Sequence, residues 1–176
     1  MEAKQEFCFT VLGKPETKKR PRIFRNGGRI TPSIWYEEMV QEAFVEAYPD
    51  SKPIGWSLCY DNENPDEYQW EFIKGTKDKN IPKVKLRCIV YVSSGKIGDL
   101  DNYIKSISDA LNDYAFVDDR QIKSVQSYLI LDPDEEDRVE ILVTVYDQRK
   151  DKFLKALRSY FRKKSKIIDF REDYYE

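Results

Sequence analysis

The sequence predicts an α+β fold, sandwich-like, in which a mixed β-sheet packs against two helices and a further helix is appended at the C-terminus. Two patterns support this class: runs of alternating apolar and polar residues, typical of half-buried strands, and apolar residues at helical spacing. The strand pattern occurs at Glu6–Leu12, Val84–Val92, 124–131 and 138–146. We predict that the last two runs form an antiparallel hairpin, because the polar sequence DPDEED joins them.

Apolar residues recur at helical spacing in three stretches outside these strands. The first helix is predicted to begin at the Thr-Pro-Ser sequence of residues 31–33, because proline is favoured in the first helical turn, and to continue to about residue 48. Its apolar stripe is predicted to consist of Trp35, Met39, Ala43 and Ala47, flanked by Tyr36, Val40 and Phe44. The second helix follows Asp99, and the third begins near Phe153. The predicted buried stripe of the second helix is Leu100, Ile104, Ile107 and Leu111.

With 176 residues, the chain is long enough for one domain with appendages. We predict a core domain over residues 1–148. It carries an insertion at about 49–82, where short alternating aromatic runs predict a hairpin. Residues 149–176 are predicted to form an extension that consists of a basic helix and an acidic, aromatic tail.

The distribution of charge is more informative than its sum. The formal net charge is only −2, which does not by itself indicate a nucleic-acid binder. However, a basic, proline-containing segment precedes the first helix, whereas acidic residues dominate 61–78 and 132–140. This segregation favours a surface that faces phosphates, although a solvated charged loop is the alternative. The predicted DNA-binding residues are Lys14, Lys18, Lys19, Arg20, Arg22, Arg25 and Arg29.

Cysteine usage and hydropathy indicate the compartment. The three cysteines lie far apart, and Cys8 and Cys88 fall in apolar strand-like runs, so we expect free, buried thiols and a reducing environment. The N-terminus has no signal-peptide pattern, and no stretch approaches the ~18 apolar residues of a membrane span. We therefore expect a cytoplasmic protein without a membrane partner.

The run GDLDNYIKSISDALNDYAFVDDRQI, residues 98–122, holds the residues best suited to chemistry. Asp99 and Asp101 stand at the start of the second predicted helix, and Asp118 and Asp119 follow its end. Carboxylates at a helix start can be simple caps, each worth ~0.3–1 kcal/mol through the helix dipole. The second pair favours a shared cluster of carboxylates instead, because a helix that returns to the sheet would bring this pair towards the first.

Carboxylates crowded in this way raise one another's pKa values unless a cation offsets their charge. Oxygen ligands suit Mg²⁺ or Mn²⁺, and the chain contains no histidine that would favour a softer ion. Lys105 lies one helical turn beyond Asp101, where its charge suits a phosphate oxygen. Carboxylates, a divalent metal and a lysine together predict phosphodiester hydrolysis.

On these residues, the sequence resembles the RusA family of Holliday-junction resolvases, small metal-dependent endonucleases of phage and prophage origin. GKPETKKRPR with a following Thr-Pro is similar to the family's Gly-Lys-Pro, Lys-x-Arg-Pro-Arg and Thr-Pro signature. GDLDNYIKSISDALN with the later VDD is similar to its Asp-Leu-Asp-Asn, Lys, Asp-Ala-Leu and Asp-Asp core. The two stretches cover about a third of the chain, and their order and spacing fit almost throughout.

The resemblance implies roles for five residues. Asp99, Asp101 and Asp119 match the family's catalytic carboxylates and would hold the metal, Lys105 matches its active-site lysine, and Asp118 is implied as a further metal ligand. Residues 1–148 would then be the endonuclease domain. The insertion and the C-terminal extension depart from the usual compact core, which leaves substrate preference open.

The implied activity is the resolution of four-way DNA junctions in recombination and repair, with Mg²⁺ as cofactor, Mn²⁺ as its alternative and branched DNA as partner. Symmetric nicking of two strands favours a two-fold homodimer. A haloacid-dehalogenase-type phosphatase also uses Asp-x-Asp, a lysine and an Asp pair, but over a much longer domain than the span from Asp99 to Asp119. The non-enzymatic alternative is a catalytically inactive junction-binding or regulatory protein of the same fold.

Overall fold

A computed structural model describes residues 6–17, 22–23, 29–30, 35–56, 81–95 and 97–164 of the chain. The chain divides into two compact units, Met1–Tyr146 and Asp147–Glu176. Within the described residues, the first unit holds the sheet and two helices, and the second unit holds one helix.

A four-stranded mixed sheet lies at the centre of the first unit. Its strands are β1 (Glu6–Leu12), β4 (Val84–Val92), β5 (Ile122–Leu131) and β6 (Arg138–Val145), in the spatial order β1-β6-β4-β5. β4 pairs in parallel with β5, so that Val84 lies opposite Ile122 and Val92 lies opposite Leu131. β6 pairs antiparallel with both β1 and β4.

The two ends of this sheet carry different loops. At one end, which we call the Asp99 edge, β1, β4 and β5 end and β6 begins. At the opposite end, the Asp119 edge, β4 and β5 begin and β6 ends. Parallel neighbours cannot be joined by a tight turn, so the chain must cross from the Asp99 edge back to the Asp119 edge between β4 and β5.

Two helices pack on one face of the sheet, and one of them makes this crossover. α1 (Trp35–Ala47) contacts β1, and α2 (Leu100–Leu111), which connects β4 to β5, contacts both α1 and β5. The core lies between the helices and the sheet. Its fully buried side chains include Val40, Ile54, Leu86, Ile107, Leu111, Phe116 and Ile141. The predicted α+β class with a mixed sheet and packed helices is confirmed.

The predicted hairpin of β5 and β6 is wrong, because β4 lies between these two strands. The alternating pattern identified both strands but carries no information about which strand lies beside which. The DPDEED segment instead passes the end of β4, where Asp137 Oδ1 accepts a hydrogen bond from the backbone N–H of Ser93 at 2.6 Å.

The buried face of α1 is centred on the three residues that were predicted to flank its apolar stripe. Tyr36, Val40 and Phe44 are buried, whereas Trp35 is exposed and its Nε1 donates to Glu16 Oε2 at 3.1 Å. The predicted start of this helix at 31–34 lies outside the described residues, as does 57–80 of the predicted insertion.

Of the two described cysteines, one is buried as predicted and one is not. Cys88 is a buried free thiol, and burial raises its pKa to about 12. Cys8 is also free but exposed, because its side chain lies on the sheet face opposite the helices. The alternation of β1 was recognised in the sequence, but which of its faces meets the core depended on the helices.

The second unit contains α3 (Lys152–Lys164), and the Leu154 backbone N–H donates to Asp151 Oδ1 at 2.9 Å at the start of this helix. A short ladder in the first unit pairs β2 (Arg22–Ile23) with β3 (Arg29–Ile30), for which the backbone alone is described. Among the described residues, no helix has the length and apolar character needed to cross a membrane.

Packing of α2 on the sheet can be tested with two matched isoleucines. Ile107 on α2 is fully buried, whereas Ile97 in the preceding loop is 44% exposed. Ile107→Ala should lower the free energy of unfolding by about 2–5 kcal/mol through lost burial and the residual cavity. Ile97→Ala should cost less than about 1 kcal/mol. Urea denaturation measures both, and equal losses would contradict the packing of α2.

Candidate functional site

The first acidic pair, Asp99 and Asp101, lies at the N-terminus of α2, where both residues are exposed. Asp99 is the N-cap residue, and its backbone carbonyl accepts hydrogen bonds from the N–H groups of Asn102 (3.1 Å) and Tyr103 (3.3 Å). Its side chain makes no capping hydrogen bond. Asp101, in the first helical turn, is exposed. Capping therefore does not account for the Asp99 carboxylate, and the positive end of the helix dipole favours negative charge at both positions.

The loop that carries Asp99 is held from two sides. The Gly98 backbone N–H donates to the hydroxyl of Tyr103, a buried residue of α2, at 3.1 Å. On the other side, Thr17 packs so closely against Gly98 that a Cβ atom there would clash with the Thr17 methyl group. Only glycine leaves room for this approach. The two contacts fix the backbone immediately before Asp99.

The start of the predicted DNA-binding segment lies at the same edge of the sheet. Lys14 Nζ donates to the carbonyl oxygen of Ser94 at 2.8 Å, in the loop between β4 and α2. The structure thus places Lys14 at the Asp99 edge. The structure does not describe the side chains of the other predicted DNA-binding residues. These residues are Lys18, Lys19, Arg20, Arg22, Arg25 and Arg29.

Lys105 lies in the middle of α2, one turn beyond Asp101, and is exposed. Within the part of the chain that the structure describes, its ammonium group forms no ion pair. A lysine without a protein partner can bind an anion without first breaking a salt bridge.

The second acidic pair precedes β5, at a 3₁₀ turn formed by Asp119–Gln121. Asp118 is buried and engaged by Arg120. The backbone N–H and Nε of Arg120 donate to Asp118 Oδ1 (2.8 and 2.9 Å), and Nη2 donates to Oδ2 at 2.7 Å. These interactions, led by the side-chain hydrogen bond from Arg120, hold the pKa of Asp118 below its ordinary value.

Asp119 has the opposite electrostatic environment. It is exposed, and its pKa is raised by partial burial, by the adjacent Asp118 carboxylate and by the Asp109 carboxylate in the last turn of α2. The guanidinium of Arg120 opposes this shift but does not cancel it. Negative charge is therefore crowded at Asp119, as expected of a carboxylate that binds a cation.

Gln121 holds the second pair in place. Its Oε1 accepts hydrogen bonds from the N–H groups of Val117 (2.8 Å) and Asp118 (3.0 Å). Its Nε2 donates to the carbonyl oxygens of Ile54 (2.9 Å) and Pro82 (3.0 Å). This buried side chain thus joins three separate stretches of chain at the Asp119 edge.

The two acidic pairs lie at opposite ends of α2. This helix has twelve residues, which corresponds to a length of about 18 Å. Asp99 stands at its first end, whereas Asp119 lies near Asp109 in its last turn. Within the described residues, no three acidic or cysteine side chains lie close enough to hold one metal ion. The expectation that α2 brings Asp118 and Asp119 back to Asp99 and Asp101 is wrong for a single chain, because parallel strands require the crossover to end at the opposite edge.

Two residues that position these pairs were not identified in the sequence. Tyr103 supports the Gly98 backbone, and no local pattern distinguishes it from an ordinary core tyrosine. Gln121 could have been found, because Asp118 and Gln121 have the spacing of a capping box, which the structure contains.

The fold and the two acidic pairs can now be compared with known proteins. The sequence model of a family described as endodeoxyribonuclease RusA matches residues 13–146. This range includes Asp99, Asp101, Lys105, Asp118 and Asp119, and it ends where the first structural unit ends. The chain therefore belongs to the RusA endodeoxyribonuclease family, and the predicted resemblance is confirmed. No curated protein matches the chain.

The different environments of Asp118 and Asp119 predict opposite effects on stability. Ionised Asp119 is disfavoured in the folded state, so Asp119→Asn should raise the free energy of unfolding at pH 7, by up to about 1 kcal/mol for so exposed a group. Asp118→Asn should lower it by about 1 kcal/mol, because the charge-assisted hydrogen bonds from the Arg120 guanidinium are weakened.

Both effects should disappear at low pH. The penalty on Asp119 acts above its raised pKa, and the stabilisation by Asp118 is lost as the pH falls through its lowered pKa. Thermal unfolding in chelator-containing buffer from pH 7 down to about pH 2 measures both. A destabilising Asp119→Asn change at pH 7 would contradict the crowding of charge.

Proposed function

We propose that the protein is a metal-dependent endonuclease that resolves four-way DNA junctions by symmetric hydrolysis of two phosphodiester bonds. The observation that carries this proposal is that one pair of carboxylates lies near each end of α2, in a chain of the endodeoxyribonuclease family. The proposed setting is cytoplasmic DNA recombination and repair.

The proposed metal ligands are Asp99, Asp101 and Asp119, with Asp118 as a weaker candidate because Arg120 already engages both of its oxygens. Their hard carboxylate oxygens fit Mg²⁺ or Mn²⁺, which often bind through one or two carboxylates together with a substrate phosphate. When bound, such an ion activates water and neutralises charge that develops on the phosphate oxygens. Lys105 would position the scissile phosphate or stabilise that charge.

A site that uses both acidic pairs requires two subunits. The pairs lie at opposite edges of the sheet within one chain, so they can meet only if the Asp119 edge of one subunit approaches the Asp99 edge of its partner. A two-fold homodimer meets this condition twice and creates two equivalent sites. Two equivalent sites also match the proposed symmetric nicking of two strands.

Strand β5 supports such a dimer. It is an edge strand, and it exposes four large apolar side chains, Val125, Tyr128, Ile130 and Leu131, of which Tyr128 is 64% and Leu131 55% exposed. An apolar edge strand is a common association surface. Antiparallel pairing of β5 with a second β5 would place the start of each strand, which follows Asp119, beside the end of the other. Because β5 ends at the Asp99 edge, this pairing would bring Asp119 of one subunit towards the Asp99 edge of its partner.

Junction cleavage with labelled four-way DNA tests the enzyme itself. In Mg²⁺ or Mn²⁺, wild type should make paired symmetric nicks in the junction and spare a linear duplex of the same sequence. Asp101→Asn should lose at least about 100-fold in rate while junction binding in chelator persists. Asp134→Asn, at an exposed position in the turn between β5 and β6, is the matched control and should cleave normally. Binding without cleavage by wild type under either metal would overturn the enzyme proposal in favour of an inactive junction-binding protein.

Co-expression of two inactive subunits tests the shared site. In a heterodimer of Asp101→Asn and Asp119→Asn chains, one site carries both substitutions and the other carries none. Random pairing should therefore restore about a quarter of the wild-type sites, and single nicks should exceed paired nicks. Each variant alone should remain inactive. No recovery in a verified heterodimer would show that each subunit supplies its own complete site.

A further inference from the structure

Helix α3 lies beyond residues 13–146, so membership of the family does not account for it. It contains six basic and no acidic residues, in a chain whose formal net charge is −2. A helix with this composition repels itself electrostatically unless its charges are solvated or bind an anionic partner.

The residues of α3 divide into two arcs. Lys155, Arg158 and Arg162 follow one another at three- and four-residue spacing, which places them in one row along the helix. All three are exposed. Phe153, Leu157, Tyr160 and Phe161 occupy a different side of the helix and are exposed within the second unit. The basic row is therefore free of apolar side chains along its length.

The basic row differs from Arg149 and Lys150 in its ion pairing. Within the described residues, Lys155, Arg158 and Arg162 take part in no ion pair. Two other basic residues of the same unit do: Arg149 Nε and Lys150 Nζ lie 3.7 and 3.5 Å from the carboxylate oxygens of Asp147. Among its described residues, the second unit thus contains two cations that share a carboxylate partner and a basic row that forms no ion pair.

We propose that the row formed by Lys155, Arg158 and Arg162 binds the phosphate backbone of a DNA arm, as a contact surface added to the family's core. The positive charge of the row suits a polyanionic ligand. Because the core belongs to an endonuclease family, DNA is the polyanion that we expect it to bind. The choice of DNA rests on the proposed function. The surface contacts phosphates, so it contributes affinity for any DNA sequence rather than recognition of one.

The salt dependence of binding by the full-length protein tests this surface. Each phosphate contact contributes about 0.9 to the slope of log affinity against log salt concentration. Arg158→Gln/Arg162→Gln should therefore lower the slope by about two and weaken binding to a four-way junction at least tenfold near 0.1 M salt. Glutamine has a helix propensity close to that of arginine, and circular dichroism checks that helicity is kept.

The control removes the same charge from the same unit. Arg149→Gln/Lys150→Gln should change the slope by no more than about one unit, because Asp147 already forms ion pairs with both cations. Arg158→Lys/Arg162→Lys should keep the slope, because the charges remain.

Three outcomes would overturn the proposal: an unchanged slope in Arg158→Gln/Arg162→Gln, an equal change in the control, or a loss confined to binding of anionic phospholipid vesicles. Binding does not require cleavage, so the two proposals fail separately. If wild type binds junctions but does not cut them and the slope still falls, the α3 surface stands and the enzyme proposal falls.

Discussion

The parallel pairing of β4 with β5 is the constraint on which the rest of the first unit depends. Two parallel neighbours need a crossover, and α2 supplies it while burying its apolar side against the sheet. The same geometry sets the positions of the acidic residues. The loop after β4 carries Asp99 and Asp101 at one edge, and the turn before β5 carries Asp118 and Asp119 at the other. A hairpin in place of this crossover would have put all four carboxylates at one edge.

The two edges hold their carboxylates in different ways. At the Asp99 edge, the loop is fixed through its backbone, by Tyr103 and Thr17, while the side chains of Asp99 and Asp101 stay available. At the Asp119 edge, Gln121 and Arg120 hold Asp118 in place, while Asp119 lies beside the carboxylates of Asp118 and Asp109. Unfavourable charge held in place by surrounding contacts is typical of functional sites, where local stability is lower than it could be.

The division of charge between the two units fits a protein that must bring acidic residues to a polyanion. The carboxylates that would hold the metal repel phosphates until a cation is bound, so affinity for DNA has to come from elsewhere. Lys14 provides a positive charge at the Asp99 edge, and α3 provides a row of such charges in the second unit. Such binding would be electrostatic and independent of base sequence.

The sequence by itself determined the α+β class, the bounds of β1 and β4, the start of α2, the acidic pairs and the family, because periodicity and motif spacing are local properties of the chain. Tertiary structure alone decided that β4 separates β5 from β6, which face of β1 is buried, and that the acidic pairs stand apart. Alternating residues report that a strand has two different faces. They do not report which neighbour it pairs with or which layer covers it. The direction of the crossover depends on that pairing, so the distance between the two acidic pairs could not be read from their separation along the chain.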